Sequence, residues 1–203
     1  MVGAESLSYF SRFDAESVYA EKGWLIGKGP VGGKAKGLAF AFFALQGSPL
    51  EQAVSLPPST IVVGTEIFRD FVQDNRLDWV YSEPDISRIE VAFATGSLRE
   101  SFRADIRRAL EAIGDRPLAI RSSSLLEDSV RLSFAGKYDT CFSANVGTLE
   151  GRARELEYGI RSVWASLYNP APRAYRNKHG YRDEDEAMAV LVQPIMGKAH
   201  GHL

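Results

Sequence analysis

The chain has 203 residues, 45% of them hydrophobic, and its 24 Lys and Arg against 26 Asp and Glu leave a formal net charge of −2. That length buries roughly 70% of the unfolded surface without disulfide or metal staples, and the charge balance excludes a globally basic nucleic-acid footprint. No apolar run approaches the ~18 residues of a membrane span, and the start, MVGAESLSYFSRFDAES, lacks the basic region and apolar stretch of a secretory signal. One cysteine, Cys141, and three histidines leave no internal disulfide and little material for a Cys/His metal site. The expectation is a soluble, cytoplasmic globular protein that binds neither nucleic acid nor membrane.

A short helix is predicted from near Asp14. Six glycines (Gly23, Gly27, Gly29, Gly32, Gly33 and Gly37) then fall within fifteen residues, with Lys28, Lys34 and Lys36 among them and Lys22 just before. The apolar run Leu38 to Leu45 predicts a buried helix starting near Lys34 and stopped by Gly47 and Ser48-Pro49. Thr60-Ile-Val-Val63 reads as a buried strand, and Thr65 as the N-cap of a helix with Ile67, Phe68, Phe71 and Val72 on one side. A polar connection through Pro84 follows. Ser97-Leu-Arg-Glu100 has capping-box spacing ahead of an apolar face of Phe102, Ile106, Ala109, Leu110 and Ile113, with Gly114 as C-cap.

Leu118 to Arg121 is predicted as a strand ending beside Ser122-Ser123-Ser124. From Tyr138 to Val146, alternation places Tyr138, Thr140, Phe142, Ala144 and Val146 on a buried face. Leu149 to Leu167 marks a long helix ended by Asn169-Pro170, with Trp164 in the core. A shorter helix spans about Arg173 to Lys178, and Met188 to Gln193 reads as a central strand. Strands mixed with helices predict an α+β, mixed α/β architecture.

Two segments have the composition of phosphate sites. Gly27-Lys-Gly-Pro-Val-Gly-Gly-Lys34 runs into a helix, whose N-terminal amides and partial positive charge suit an anion, while glycine permits close backbone approach. It is not a Walker A loop, because Lys28 stands where its first glycine belongs and Ala35 where the magnesium-binding Ser/Thr belongs. Gly27, Gly29 and Gly32 spell GxGxxG after Trp24-Leu-Ile26, a pattern of dinucleotide sites, and the alternative to either is a glycine-rich surface turn. In the second segment, Arg121 at a strand end beside three hydroxyls offers a planar fork suited to bidentate phosphate binding. The alternative pairs Arg121 with Glu127 or Asp128 and uses the serines as caps.

In order, Gly32-Gly-Lys-Ala-Lys-Gly-Leu38, Leu56-Pro-Pro-Ser-Thr-Ile-Val-Val63, Arg121-Ser-Ser-Ser-Leu-Leu-Glu-Asp128, Ser133-Phe-Ala-Gly-Lys-Tyr-Asp-Thr140 with Asn145-Val146, Trp164-Ala-Ser-Leu-Tyr168 with Tyr175-Arg176, and Met188-Ala-Val-Leu-Val-Gln193 extend from about Lys28 nearly to the C-terminus. Together they resemble the N-terminal ATP-binding domain of the phosphoenolpyruvate synthase and pyruvate phosphate dikinase family. Residues 1–27 stand outside the resemblance as an N-terminal extension, and 28–203 correspond to the first part of the domain. The resemblance implies an ATP-grasp type fold, incomplete on its C-terminal side, that passes a phosphoryl group from ATP to a histidine on a separate domain. By match, Lys34 and Arg121 are the catalytic phosphate contacts; Gly32 and Gly33 belong to the first loop, Gly136, Asp139 and Thr140 to the segment covering the nucleotide, and Val192 and Gln193 to the adenine edge.

Lys137-Tyr138 departs from the two glutamines or two methionines common in this family. The resemblance implies Mg2+, with its ligands, the phosphohistidine and the acceptor-binding domain all outside this chain, and assigns no metal ligand here. The chain then reads as a truncated ATP-binding unit, inactive alone, whose acceptor (pyruvate, a polysaccharide or an antibiotic) is set elsewhere. Two rival readings are a non-catalytic nucleotide-binding or regulatory module of the same fold, and NAD-type binding through Gly27, Gly29 and Gly32. Asp183-Glu-Asp-Glu186 is expected to be a solvated loop, His200 and His202 a frayed terminus, and Cys141 a small strand residue.

Overall fold

A computed structural model of the chain describes residues 10–51, 60–128 and 136–197, with the side chains of 127 and 128 left undescribed. Leu56 to Ser59, Ser133 to Ala135, His200 and His202 lie outside the described residues, as does the proposed pairing of Arg121 with Glu127 or Asp128. The elements are α1 (Ala15–Glu21), β1 (Leu25–Ile26), α2 (Gly32–Leu45), β2 (Ile61–Val63), α3 (Thr65–Asp74), α4 (Ile86–Thr95), α5 (Glu100–Ile113), β3 (Leu118–Ser124), β4 (Thr140–Ser143), α6 (Leu149–Ala165), α7 (Pro170–Lys178) and β5 (Met188–Pro194). Short 3₁₀ turns occupy Asp78–Tyr81, Leu125–Asp128, Ser166–Tyr168 and Asp183–Asp185. The strands form one sheet in the order β1-β2-β5-β3-β4. β1 and β2 are parallel across α2, and the other neighbours are antiparallel. This is the mixed α/β architecture that the alternating elements predict.

Alternation along the central strands separates two cores. Ile61, Val63, Ile120, Val190 and Val192 join Phe68, Phe71, Phe93, Phe102, Ile106, Leu110, Ile160 and Trp164 in the larger one. Val62 and Leu191, on the opposite face, meet Tyr19, Val31, Ala35 and Ala39 of the α1–α2 layer. Trp164 is fully buried as expected, and its indole N–H donates to the Met188 carbonyl at 3.1 Å.

Several local expectations are corrected. Thr65 is not the cap of α3: Gly64 holds that place, and the carbonyls of Lys28 and Pro30 accept from the Glu66 and Thr65 amides at 3.1 and 3.3 Å. The loop before α2 thus caps α3, at a spot where a Cβ on Gly64 would lie 2.3 Å from the Lys28 oxygen. The Ser97–Glu100 box does not form, because α5 begins at Glu100 while the Ser97 amide donates to Asn75 at 2.8 Å and Glu100 pairs with Arg107. The connection after Pro84 contains α4, capped by Asp85, whose carboxylate accepts from the Ser87 amide at 3.0 Å. α2 buries only the Gly32, Ala35 and Ala39 stripe, with Phe43 46% exposed, because its apolar residues surround the axis.

The face assigned to the strand after Tyr138 is inverted. Cys141 pairs with Ile120 toward the α6 side, which turns Phe142, opposite Ala119, to the other face. Phe142 is 71% exposed and Val146 67% exposed, whereas Ser143 is buried. β3, conversely, continues through all three serines, because Ala189 and Met188 of β5 extend alongside Ser123 and Ser124.

Candidate functional site

The two phosphate-like segments meet where α2 starts against the end of β3. Gly32 has φ +72°, and a Cβ there would fall 1.9 Å from the Ser123 carbonyl oxygen, so only glycine admits this approach. The Ser123 hydroxyl donates to the Val31 carbonyl at 2.7 Å and accepts from the Ala35 amide at 3.0 Å, bridging two groups of the first helical turn. Lys34 extends from that turn, and its ammonium donates to the Ser122 hydroxyl at 3.3 Å. Lys34 is thereby tied to the strand residue next to Arg121. The serines were legible as hydroxyls near an arginine; their role as anchors for α2 was not, since it depends on a contact 88 to 92 residues away in the chain.

Arg121 lies on the side of the sheet that turns Phe142 outward. It stands opposite Thr140 of β4 and Leu191 of β5, and its guanidinium donates to the Gln193 side-chain oxygen at 3.3 Å. Arg121 and Gln193 are half-buried, while Gly136, Asp139 and Thr140 are exposed. Asp139 is held by its amide, which donates to Ser166 Oγ at 3.2 Å, and by Asn169, which donates to its carboxylate at 3.3 Å. Gly32 and Lys34 thus meet β3 at Ser123 and Ser122 near its end, while Arg121, Thr140 and Gln193 neighbour one another at the middle of that strand. Val192 differs: its side chain is in the larger core and its backbone lies between β2 and β3.

Gly27, Gly29 and Gly32 do have the strand–loop–helix context of a dinucleotide turn. The Gly29 amide, however, donates to Glu16 of α1 at 3.0 Å, and the neighbouring carbonyls cap α3. No local sequence signal pointed to Glu16.

Asp183 to Glu186 are not a uniformly solvated loop. Asp183 pairs with Arg173 at 2.7 Å and with the fully buried Arg176 at 2.6 Å. Glu186 is buried; the loss of water pushes its carboxyl above the ordinary glutamate range, against the pull of hydrogen bonds from Ser124 and Tyr138. Asp185 faces out onto Arg182, whose hydrogen bonds hold its carboxyl below the usual range. Burial pushes the Cys141 thiol up, as befits a strand residue without activation. Among the described residues, no group of three or more His, Cys, Asp and Glu converges as a metal site. Among them, too, no helix is long and apolar enough to cross a membrane.

Residues 28–201 match the model of the pyruvate phosphate dikinase AMP/ATP-binding domain. The chain belongs to that family. A phosphoenolpyruvate synthase of Deinococcus radiodurans is 29% identical over 162 residues, covering 72% of this chain and 20% of that protein. A phosphoenolpyruvate synthase of Aeropyrum pernix is 26% identical over 187 residues, covering 82% of this chain and 21% of its own length. A rifampicin phosphotransferase of Streptomyces sviceus is 38% identical over 92 residues, or 45% of this chain and 10% of that protein. The chain therefore spans about a fifth of the length of the synthases it matches, and the family is one of enzymes.

Proposed function

We propose that this chain is the nucleotide-binding part of a dikinase-type phosphotransferase, with Lys34 and Arg121 holding the phosphates of ATP. The observation that supports the reading is the bond from Lys34 to Ser122, which ties the start of α2 to β3 at the residue that follows Arg121 in that strand. Phosphoryl transfer is mostly positioning and charge stabilisation, so two fixed cations beside a helix start are suitable tools. Gly136, Asp139 and Thr140 would cover the nucleotide, and Gln193 would approach it beside Arg121. ATP is the substrate that supplies the phosphoryl group; its acceptor would be a histidine on a domain beyond residues 28–203, with Mg2+ held by residues outside those described.

Calorimetric titration of the chain with ATP tests this. Lys34→Ala and Arg121→Ala are each expected to weaken binding about tenfold, the scale of a charged phosphate contact. Unchanged affinity in both variants overturns the assignment.

A further inference from the structure

We infer that Tyr138 and Glu186 form a clasp that sets the spacing of Arg121 and Thr140, making them positioning residues; the consequence for ATP rests on the reading of Arg121 as a phosphate contact. The β3–β4 ladder has four rungs, and the pair Arg121 and Thr140 is the outermost. Past it the two segments are joined by side chains. Glu186 Oε2 accepts from the Ser124 hydroxyl at 2.7 Å and from the Tyr138 hydroxyl at 3.1 Å. Its Oε1 accepts from the amides of Leu125 at 3.1 Å and Ala187 at 3.0 Å. Four donors from the end of β3, the loop entering β4 and the start of β5 therefore converge on one carboxylate, filling the acceptor sites of the ionised form.

The clasp is itself braced. Arg176 Nη1 donates to the Tyr138 oxygen at 3.5 Å, while Asp183 and the Leu167 carbonyl hold the same guanidinium at 2.6 and 2.7 Å. Lys137 lies 4.4 Å from the centre of the Tyr175 ring, fixing the adjacent loop position against α7. A buried carboxylate is a poor source of net stability compared with apolar packing, but a fully satisfied polar network defines a single geometry. Here that geometry is the distance between the last rung's two strands, where Arg121 and Thr140 face the same side.

The test is amide hydrogen exchange and ATP titration on the whole 203-residue chain, comparing Tyr138→Phe, Ser124→Ala, Glu186→Gln and, for ATP alone, Arg121→Ala with the parent. Tyr138→Phe keeps the ring and removes one donor. Exchange at residues 121–125 and 136–140 is expected to rise about tenfold or more, with α5 and α6 unchanged, as for a local opening. ATP affinity is expected to fall about fivefold, the scale of one ordinary hydrogen bond. Parental exchange at Arg121 and Thr140, or an even rise through α5 and α6, overturns the clasp. If Glu186→Gln does not fold, Tyr138→Phe and Ser124→Ala decide the matter. Parental ATP binding in Arg121→Ala counts against the phosphate reading instead, and the exchange result still decides the clasp.

Discussion

On the α3–α6 side of the sheet, Trp164 sits among Phe68, Phe71 and Phe102, with ring centroids 5.2 to 6.4 Å apart. On the α1–α2 side the packing is small and specific: Ala35 and Ala39 on Val62 and Leu191, a glycine against a carbonyl, and a serine hydroxyl threaded into a helix turn. The first arrangement stabilises by area removed from water, which depends little on the placement of any one atom. The second contributes less area but fixes where Lys34 and Arg121 stand. The contrast implies that stability and ligand binding can be perturbed separately from opposite faces.

The largest expected effect on stability lies on the aromatic side. Trp164→Ala should lower unfolding free energy by about 3–5 kcal/mol, read from urea denaturation, because it opens a cavity and leaves the Met188 carbonyl without its donor. Gly32→Ala comes next: the left-handed backbone alone costs about 1–3 kcal/mol, and the new methyl must displace Ser123. Both the melting temperature and ATP affinity should fall, whereas Trp164→Ala should act on the melting temperature first. Ser123→Ala sharpens the comparison. Val31 and Ala35 can close a direct helical bond once the hydroxyl is gone, so stability should change by no more than about 1 kcal/mol, while ATP titration registers the shift of α2. A loss of several kcal/mol with unchanged affinity would reverse the roles given to the two faces. Phe142→Ser, on an exposed site, should stay within about 0.5 kcal/mol by urea denaturation.

A pH titration of stability isolates Glu186. Its folded carboxyl is pushed up, so the native state holds the proton more tightly than the unfolded chain. That contribution to stability is full below the ordinary glutamate range, declines as pH rises from about 4.3 through the higher folded value, and levels off beyond it. Glu186→Gln should remove this descending component from melting curves, while the opposite, acid-side loss associated with the lowered carboxyl of Asp14 should remain.

The helices of the larger core were legible because their apolar spacing coincides with the buried face: Phe102, Ile106, Ala109, Leu110 and Ile113 all point inward. Periodicity failed for the strand after Tyr138, where alternation gives the two faces but not which one a neighbouring strand turns inward. Helix ends were misread at Thr65 and Ser97 because a distant loop carbonyl and Asn75 supplied the competing bonds. Lys34 and Arg121 stood out as cations in suitable local contexts. The roles of Glu16, Ser123, Tyr138 and Glu186 did not, since each acts through partners 13 to 92 residues away.

The sheet's two borders have a further consequence. Among the described residues, β1 at one edge has two residues and β4 at the other has four. Unpaired edges are where a second chain can add itself by backbone bonding, and brief ones offer little template. The long strands β3 and β5 lie inside, each bonded on both sides. Phe142 therefore sits outward on a border too short to recruit a neighbour by main-chain pairing, so its exposure does not by itself make this edge a seed for edge-to-edge aggregation.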